Sequence, residues 1–398
     1  MSEPAPVLPL SRRRAQGALA ALALTAFLYV TTETLLIGLL PQVAGSLHVS
    51  LSRTGILVTG YAATVAVMSV PLTLATRRVQ RRRLLGTLLC LFVVSTVVGA
   101  AATSYWLLLG TRIVTALTHS IFWSVVGATA AGLFAPEARG RVLTAIFAGS
   151  SLATVIGTPA GTWLGQHTSW RVAYLTVGLL GAVVAIAVIA LVPARPVHES
   201  HAATGRHPDG RRYAVLVAAT MLGMGGFFTM FTYVTAYLTR VTGFSLAAVS
   251  PILLAGGLAG VLGVTFAGRV IDRAPRLAMG APMAVLVLAL FGLYALGTHD
   301  YVAVALVAVG NFGIAGFATA LQGRVLDVAP GSSDVASAGT SAAFNVGIGG
   351  GAALGAALLP STGTHSLALV GALIGSVALA TLLAEPLLAG KRRSSPAP

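Results

Sequence analysis

The sequence predicts an all-α polytopic membrane protein, twelve transmembrane helices in two pseudo-symmetric six-helix bundles, and three observations carry that prediction. Apolar runs of about 20 residues, long enough to cross a bilayer as helices, recur along the whole chain. Only 9% of residues are charged, against roughly 25% in a soluble protein. The charges fall in short clusters between the runs, with 25 basic residues against 10 acidic ones. In a soluble chain that surplus would suggest nucleic acid. Here the mean hydropathy is +0.88, so the surplus is a topology signal; the expected surroundings are a lipid bilayer, and no nucleic acid partner is expected.

The runs start near residues 15, 51, 84, 104, 141, 172, 213, 247, 277, 300, 336 and 366. The first, Gly17 to Leu40, is too long for a signal-peptide core and is followed by eleven more, so it is expected to persist as helix 1. Arg12, Arg13 and Arg14 precede it. Arg77, Arg78, Arg81, Arg82 and Arg83 follow the second run; Arg139 and Arg141 follow the fourth. Arg195, Arg206, Arg211 and Arg212 lie at the chain's midpoint, then Arg269, Arg273 and Arg276, then Arg324, then Lys391, Arg392 and Arg393. With twelve spans all of these share one side, leaving only Arg53, Arg112, Arg171 and Arg240. By the positive-inside rule both termini are expected in the cytoplasm of a bacterial inner membrane.

The polar stretch Pro193 to Arg212, rich in Pro, Gly, His and Arg, reads as a linker. It divides the chain into bundles at 1–193 and 213–398, with 194–212 between them. His198, His201 and His207 lack helical spacing and belong to this solvated segment. The halves echo each other at an offset of roughly 190 residues, as in duplicated transport folds. Arg77-Arg-Val-Gln-Arg81 after helix 2 is answered by Arg269-Val-Ile-Asp-Arg273 after helix 8, and Gly157 and Gly161 on helix 5 by Gly351 and Gly355 on helix 11.

Chemistry inside the membrane is sparse. Cys90 is the one cysteine, which excludes a disulfide within the chain and a cysteine metal cluster; no metal and no cofactor is expected. No GxxxxGK[ST] or HExxH signature is present, and no second intramembrane histidine joins His119, so neither an ATPase nor an intramembrane enzyme is expected. Glu33 is the only carboxylate well inside a span, and such a residue is costly enough to mark function. It lies eight residues before Pro41, hence ~12 Å from the end of helix 1. Arg112, seven residues after Tyr105 on a helix entering from that side, sits at ~10 Å depth, level with Glu33. His119 shares a helix face with Arg112 and Thr115; it can relay protons, hold a substrate hydroxyl, or be a satisfied structural histidine. Tyr29 and Thr25 extend a polar stripe from Glu33. On helix 7, Phe227, Phe231, Tyr233 and Tyr237 offer aromatic surface for a sugar ring or a flat drug, or for packing. Asn311 and Asn345 are buried amides that either meet substrate or bridge helices. Gly157, Pro159 and Gly161 are expected to kink helix 5 and admit a close neighbour.

These residues resemble the major facilitator superfamily, specifically its twelve-helix drug:proton antiporters, and within them the bacterial sugar-efflux group with its chloramphenicol-exporter relatives. The marks are Thr31-Thr-Glu through Gly38-Leu-Leu-Pro41, Arg112 followed by His119-Ser-Ile-Phe-Trp123, Gly157-Thr-Pro-Ala-Gly161 running to Trp170-Arg171, Gly268-Arg-Val-Ile-Asp-Arg273, and Phe344-Asn-Val-Gly-Ile-Gly349. Two positions depart from the pattern: Gln80 stands where the second half has Asp272, and Ala236 stands where helix 7 commonly has proline. The resemblance implies that helices 1 and 4 line a central cavity, that Arg269, Asp272 and Arg273 form a cytoplasmic latch, and that the chain works as a monomer. It implies proton-coupled antiport of sugars, sugar-like compounds or amphenicol-type drugs, with Glu33, Arg112 and His119 coupling to protons. Tyr29, Thr115, the helix 7 aromatics, Asn311 and Asn345 would then hold substrate. A carboxylate binds protons more tightly in dry apolar surroundings and less tightly beside a guanidinium, so moving Arg112 or water relative to Glu33 would switch its affinity. The alternative is an uncoupled facilitator or importer in which Glu33 and Arg112 form a static pair.

Overall fold

The computed structural model describes residues 11–76, 78–134, 138–193, 208–271, 273–330 and 333–388. Arg77 and Asp272 of the two loop motifs, and His198, His201 and His207 of the linker, lie outside the described residues. The N-terminal bundle comprises α1 (Arg12–Ser46), α2 (Leu51–Thr76), α3 (Arg81–Ala100), α4 (Tyr105–Ala131), α5 (Arg139–Leu152), α6 (Thr158–His167) and α7 (Trp170–Leu191). The C-terminal bundle comprises α8 (Gly210–Phe231), α9 (Val234–Tyr237), α10 (Leu246–Val270), α11 (Pro275–Leu296), α12 (Asp300–Val328), α13 (Ser333–Leu383) and α14 (Glu385–Leu388). Among the described residues, ten helices are long and apolar enough to cross a membrane.

Helix is what hydrocarbon demands, because every backbone polar group must find its partner within the segment. The hydroxyls follow the same rule: Thr25 donates to the Ala21 carbonyl at 2.8 Å and Thr220 to that of Leu216 at 2.7 Å. Several helix starts at the polar boundary are capped by side chains. Ser11 and Ser169 accept from the backbone of Arg14 and Val172, and Asp209 accepts from Arg211 and Arg212.

The breaks in the helices have local causes. Pro159 has no N–H and its ring would strike the carbonyl of residue 155; the chain absorbs this as a π-helical turn, Ala153–Gly157, between α5 and α6. In the second half no proline stands at Ala236, yet the helix still bends. Tyr233 leaves helical geometry at φ −110°, ψ 17°, and a π turn over Leu238–Thr242 follows α9. Two helices meet within α13 at Gly363, whose φ of 73° and ψ of 176° suit glycine.

Glycines set the distance between neighbours. Gly347, Gly351 and Gly355 lie along α8, where a side chain would run into the backbone of Met221, Gly225 and Thr229. Without a hydrophobic drive inside lipid, this close backbone approach is what holds two helices together.

At the end of the molecule where α1 begins, the two halves solve one problem differently. Arg14 donates from Nε and Nη2 to the carbonyls of Leu191 and Ala190 at 3.2 and 3.1 Å, neutralising the C-terminus of α7. At the matching place in the second half, Arg212 at the start of α8 meets Glu385, 3.2 Å away. Glu385 is 1% exposed and also lies 3.8 Å from Arg324 and 3.9 Å from Arg276. One buried carboxylate thus ties α8, α11 and α12 to α14. Removing one member of a buried charge cluster strands the others, at a cost of about 3–5 kcal/mol. Glu385→Ala is therefore expected to lower the thermal unfolding midpoint in detergent sharply, and Arg276→Ala, at an exposed rim position, to change stability by less than about 1 kcal/mol. Equal effects from the two variants would refute this assignment.

Candidate functional site

The site grows from Arg112, which the second turn of α4 carries into the bundle with 2% exposure. Its Nη1 donates to the Thr32 carbonyl at 2.7 Å and its Nη2 to the Glu33 carbonyl at 3.4 Å. The guanidinium lies over the Tyr61 ring of α2, 4.5 Å from its centroid, a cation–π contact strengthened by desolvation. Among the described residues no ion pair within 4 Å joins Arg112 to the Glu33 carboxylate. The arginine holds the backbone of α1.

His119 approaches that carboxylate without a hydrogen bond to it. Its Nδ1 is 3.9 Å from Glu33 Oε2 and 2.6 Å from the Tyr61 hydroxyl. The imidazole is stacked on Tyr29 at 5.2 Å between ring centroids, with Trp123 6.1 Å away. The Glu33 side chain keeps 17% of its surface accessible, against 6% for His119. The Glu33 side chain is thus partly accessible while the histidine beside it is enclosed. The arrangement gathers a carboxylate, an imidazole and a phenol hydroxyl, three groups able to give or take a proton, beside one guanidinium.

Other candidates occupy varied places. Tyr29, fully buried, fits between Phe92 and Phe122 at 4.9 Å from each ring. Thr115 bonds Ser95 of α3 at 2.9 Å and the Thr111 carbonyl at 2.9 Å, joining α3 to α4. Phe227 and Phe231 stack at 4.5 Å and, with Asn311, line a small apolar cavity between α8, α11 and α12. Asn311 donates to its own helix at Val307. Tyr237 donates to the Leu293 carbonyl at 2.6 Å and Tyr233 to that of Ala352 at 3.1 Å. Asn345 donates to Ser341, and its Oδ1 is buried without a partner. Arg269 and Arg273 are exposed, and Asp272 lies outside the described residues.

Gly157, Pro159 and Gly161 form a seat for two neighbours. A side chain at Gly157 would strike Thr31 and Phe27, and one at Gly161 would come 2.7 Å from Leu35, so this face lies flush on α1. On the other side the Pro159 carbonyl accepts from Ser250 of α10 at 2.7 Å. Two further bonds cross between the bundles at the same end, Ser52 to the Ala356 carbonyl at 2.5 Å and Thr235 to the Ile37 carbonyl at 3.0 Å. Gly257 against the Thr154 carbonyl and Gly349 against Ala62 extend the contact toward mid-depth. Of these, Tyr61, Ser52, Thr235 and Ser250 were not singled out from sequence. Tyr61 could have been: ten residues into α2 it lies ~15 Å deep, near the level computed for Glu33 and Arg112.

Residues 22–338 match the family described as Major Facilitator Superfamily. A probable sugar efflux transporter of Mannheimia succiniciproducens is 33% identical over 360 residues, spanning 90% of this chain and 91% of that protein. Another of Helicobacter acinonychis is 31% identical over 360 residues, spanning 90% and 92%. Among solved structures, a bacterial homolog of the human lysosomal transporter Spinster, inward-facing and unoccupied, superposes with a TM-score of 0.70 at 15% identity, over 94% of this chain and 95% of that one. The human organic anion transporter MFSD10 gives 0.69 at 17% identity, over 94% and 100%. At such identities these structures establish the fold.

If the Tyr61 hydroxyl serves chiefly to hold His119, Tyr61→Phe and His119→Phe should each destabilise the protein by about 1 kcal/mol and the double variant by little more than either one. Thermal unfolding of the four proteins in one detergent measures this. Losses that simply add would show that the two groups do not act together.

Proposed function

The chain belongs to the Major Facilitator Superfamily, and from that premise we propose that it exports sugars or sugar-like molecules in exchange for protons, by alternating access of a site between its two bundles. Small-molecule transport follows from the family, and no enzyme activity is involved. The observation that carries the coupling is the Glu33–His119 approach at 3.9 Å beside a guanidinium that binds backbone. A carboxylate whose neighbours include a histidine, a tyrosine hydroxyl and a guanidinium has several ways to change its proton affinity when helices shift.

The sugar arm is supported by relatives named as probable sugar efflux transporters over 90% of the chain. The amphenicol arm has as support only the aromatic surface at Phe227, Phe228 and Phe231. For substrate contact in the C-terminal half the best-supported group is Asn345, because a buried carbonyl oxygen lacking a partner is costly unless something supplies a donor.

In this reading the chain has twelve spans: α5 and α6 act as one continuous span through their π turn, and α13 supplies two, divided at Gly363. The domain boundaries are 1–193, 194–212 and 213–398, with the arginine clusters holding both termini in the cytoplasm. The bonds from Ser52, Thr235 and Ser250 then close the outer side, and the site is entered from the cytoplasm. Gly157, Pro159 and Gly161 serve as the pivot, with Arg269, Asp272 and Arg273 as a latch on the cytoplasmic face. The working unit is a monomer.

Vesicles containing the protein and an internal pH dye test the coupling. Sugars or amphenicols added to wild type should drive proton flux, and Glu33→Gln should reduce it at least about tenfold, ~1.4 kcal/mol, while substrate binding survives. Equal substrate movement in both proteins without proton flux would replace antiport by facilitated diffusion, with Glu33 as architecture.

A further inference from the structure

A groove away from the candidate site runs along the outward surface of the N-terminal bundle, between α3 and the end of α7. It measures about 780 Å³ and carries Arg82 and Arg83 at one end. From there it runs past Gly86 and Cys90 to Val94, with Ile189 of α7 as its far wall. Gly86 shapes this floor: a side chain there would come 3.0 Å from Ile189. Cys90 and Val94 are exposed, which on a helix of this hydropathy means exposed to lipid.

Three properties specify the occupant. The span from Arg82 to Val94 is twelve residues, ~18 Å along the helix, slightly more than one leaflet of a ~30 Å hydrocarbon core. The two arginines sit in the first turn of α3, at the depth where headgroups begin. Among the described residues neither takes part in an ion pair, although Arg82 is half-buried. An apolar trough one leaflet deep, ending in two guanidinium groups with no ion pair among the described residues, is complementary in length and charge to one molecule.

We infer that this groove binds an anionic phospholipid, its phosphate held by Arg82 and Arg83 and one acyl chain lying along Gly86, Cys90 and Val94. Guanidinium is suited to this, since its fork of N–H donors matches phosphate oxygens, and basic pockets between membrane helices are a known form of headgroup recognition. The bound lipid adds its chain to the α3–α7 surface and neutralises charge that no ion pair among the described residues neutralises. The inference is independent of what the protein transports.

Native mass spectrometry of the full chain released from micelles containing equal phosphatidylglycerol and phosphatidylcholine of identical chain length tests it. Wild type should retain phosphatidylglycerol over phosphatidylcholine by about 25-fold, two arginines each contributing a factor of about five. Arg82→Gln with Arg83→Gln should bring the ratio to near parity. Arg12→Gln with Arg13→Gln, which removes two arginines at the same end of the bundle without touching the groove, should leave it unchanged. Cys90→Trp fills the trough and keeps both arginines; it should abolish retention of the lipid. Parity in wild type, an unchanged ratio in the Arg82 and Arg83 variant, or full retention in Cys90→Trp would each overturn the proposal.

Discussion

A guanidinium cannot give up its charge at any pH the protein meets, so a bundle that buries one must build itself around it. Arg112 imposes that condition on α1, α2 and α4 together. Two carbonyls of α1 and the ring face of Tyr61 replace its water, which fixes how α1 and α2 sit against α4. The backbone of α1 takes these donors, so among the described residues no ion pair within 4 Å joins Arg112 to the Glu33 carboxylate, and His119 Nδ1 lies 3.9 Å from that carboxylate. In that position the charge on Arg112 acts on Glu33 as a field, and small helix movements can alter it without breaking a direct bond.

Movement requires a second property, which the glycines and the helix breaks supply. Within the C-terminal bundle, Gly347, Gly351 and Gly355 bring α13 and α8 into backbone contact, a rigid union. Between the bundles, Gly257 and Gly349 make similar close contacts, and hydroxyl-to-carbonyl bonds join the two halves. Ser52, Thr235 and Ser250 each donate one hydroxyl to a carbonyl across the gap, bonds worth about 1 kcal/mol apiece. On the proposed reading, tight packing inside each half and replaceable hydrogen bonds between them favour two bodies that rock. The π turns over Ala153–Gly157 and Leu238–Thr242 lie close to these joints, and π turns concentrate at functional sites.

The sequence made the architecture legible because hydrocarbon leaves so few choices: a long apolar run has to be a helix, and arginines mark its ends. Depth was legible too, since 1.5 Å per residue put Glu33 and Arg112 on one level. Direction around the helix was less so. Phe227, Phe231 and Tyr237 share faces that periodicity cannot distinguish as cavity or neighbour, and the structure gives them to α11 and α12. Tyr29 and Thr115 were visible as polar groups in apolar runs, yet their surroundings are Phe92, Phe122 and Ser95. The bend after Phe231 was obscured because proline is its usual signal and Ala236 stands in its place. Glu385 was hidden by position: near the end of the last run it looks like a boundary charge, and only the fold brings three arginines to it.

The two halves share a frame and divide the charge unequally. Each begins with arginine at the start of its first helix anchoring the end of its last, through carbonyls at Arg14 and through Glu385 at Arg212. Deep in the membrane the symmetry ends. The N-terminal half places Glu33, His119 and Arg112 at mid-depth, whereas the buried carboxylate of the C-terminal half is at its edge, saturated by arginines. Asn345 and the aromatic residues occupy the C-terminal interior, groups that recognise shape and hydrogen bonds but exchange no proton at neutral pH. On the proposed reading, then, proton and substrate are sensed by different rigid bodies. Neither can inform the other through a shared side chain, so coupling has to pass through the relative position of the bundles, and the hydroxyl-to-carbonyl bonds that join them are where that position is set.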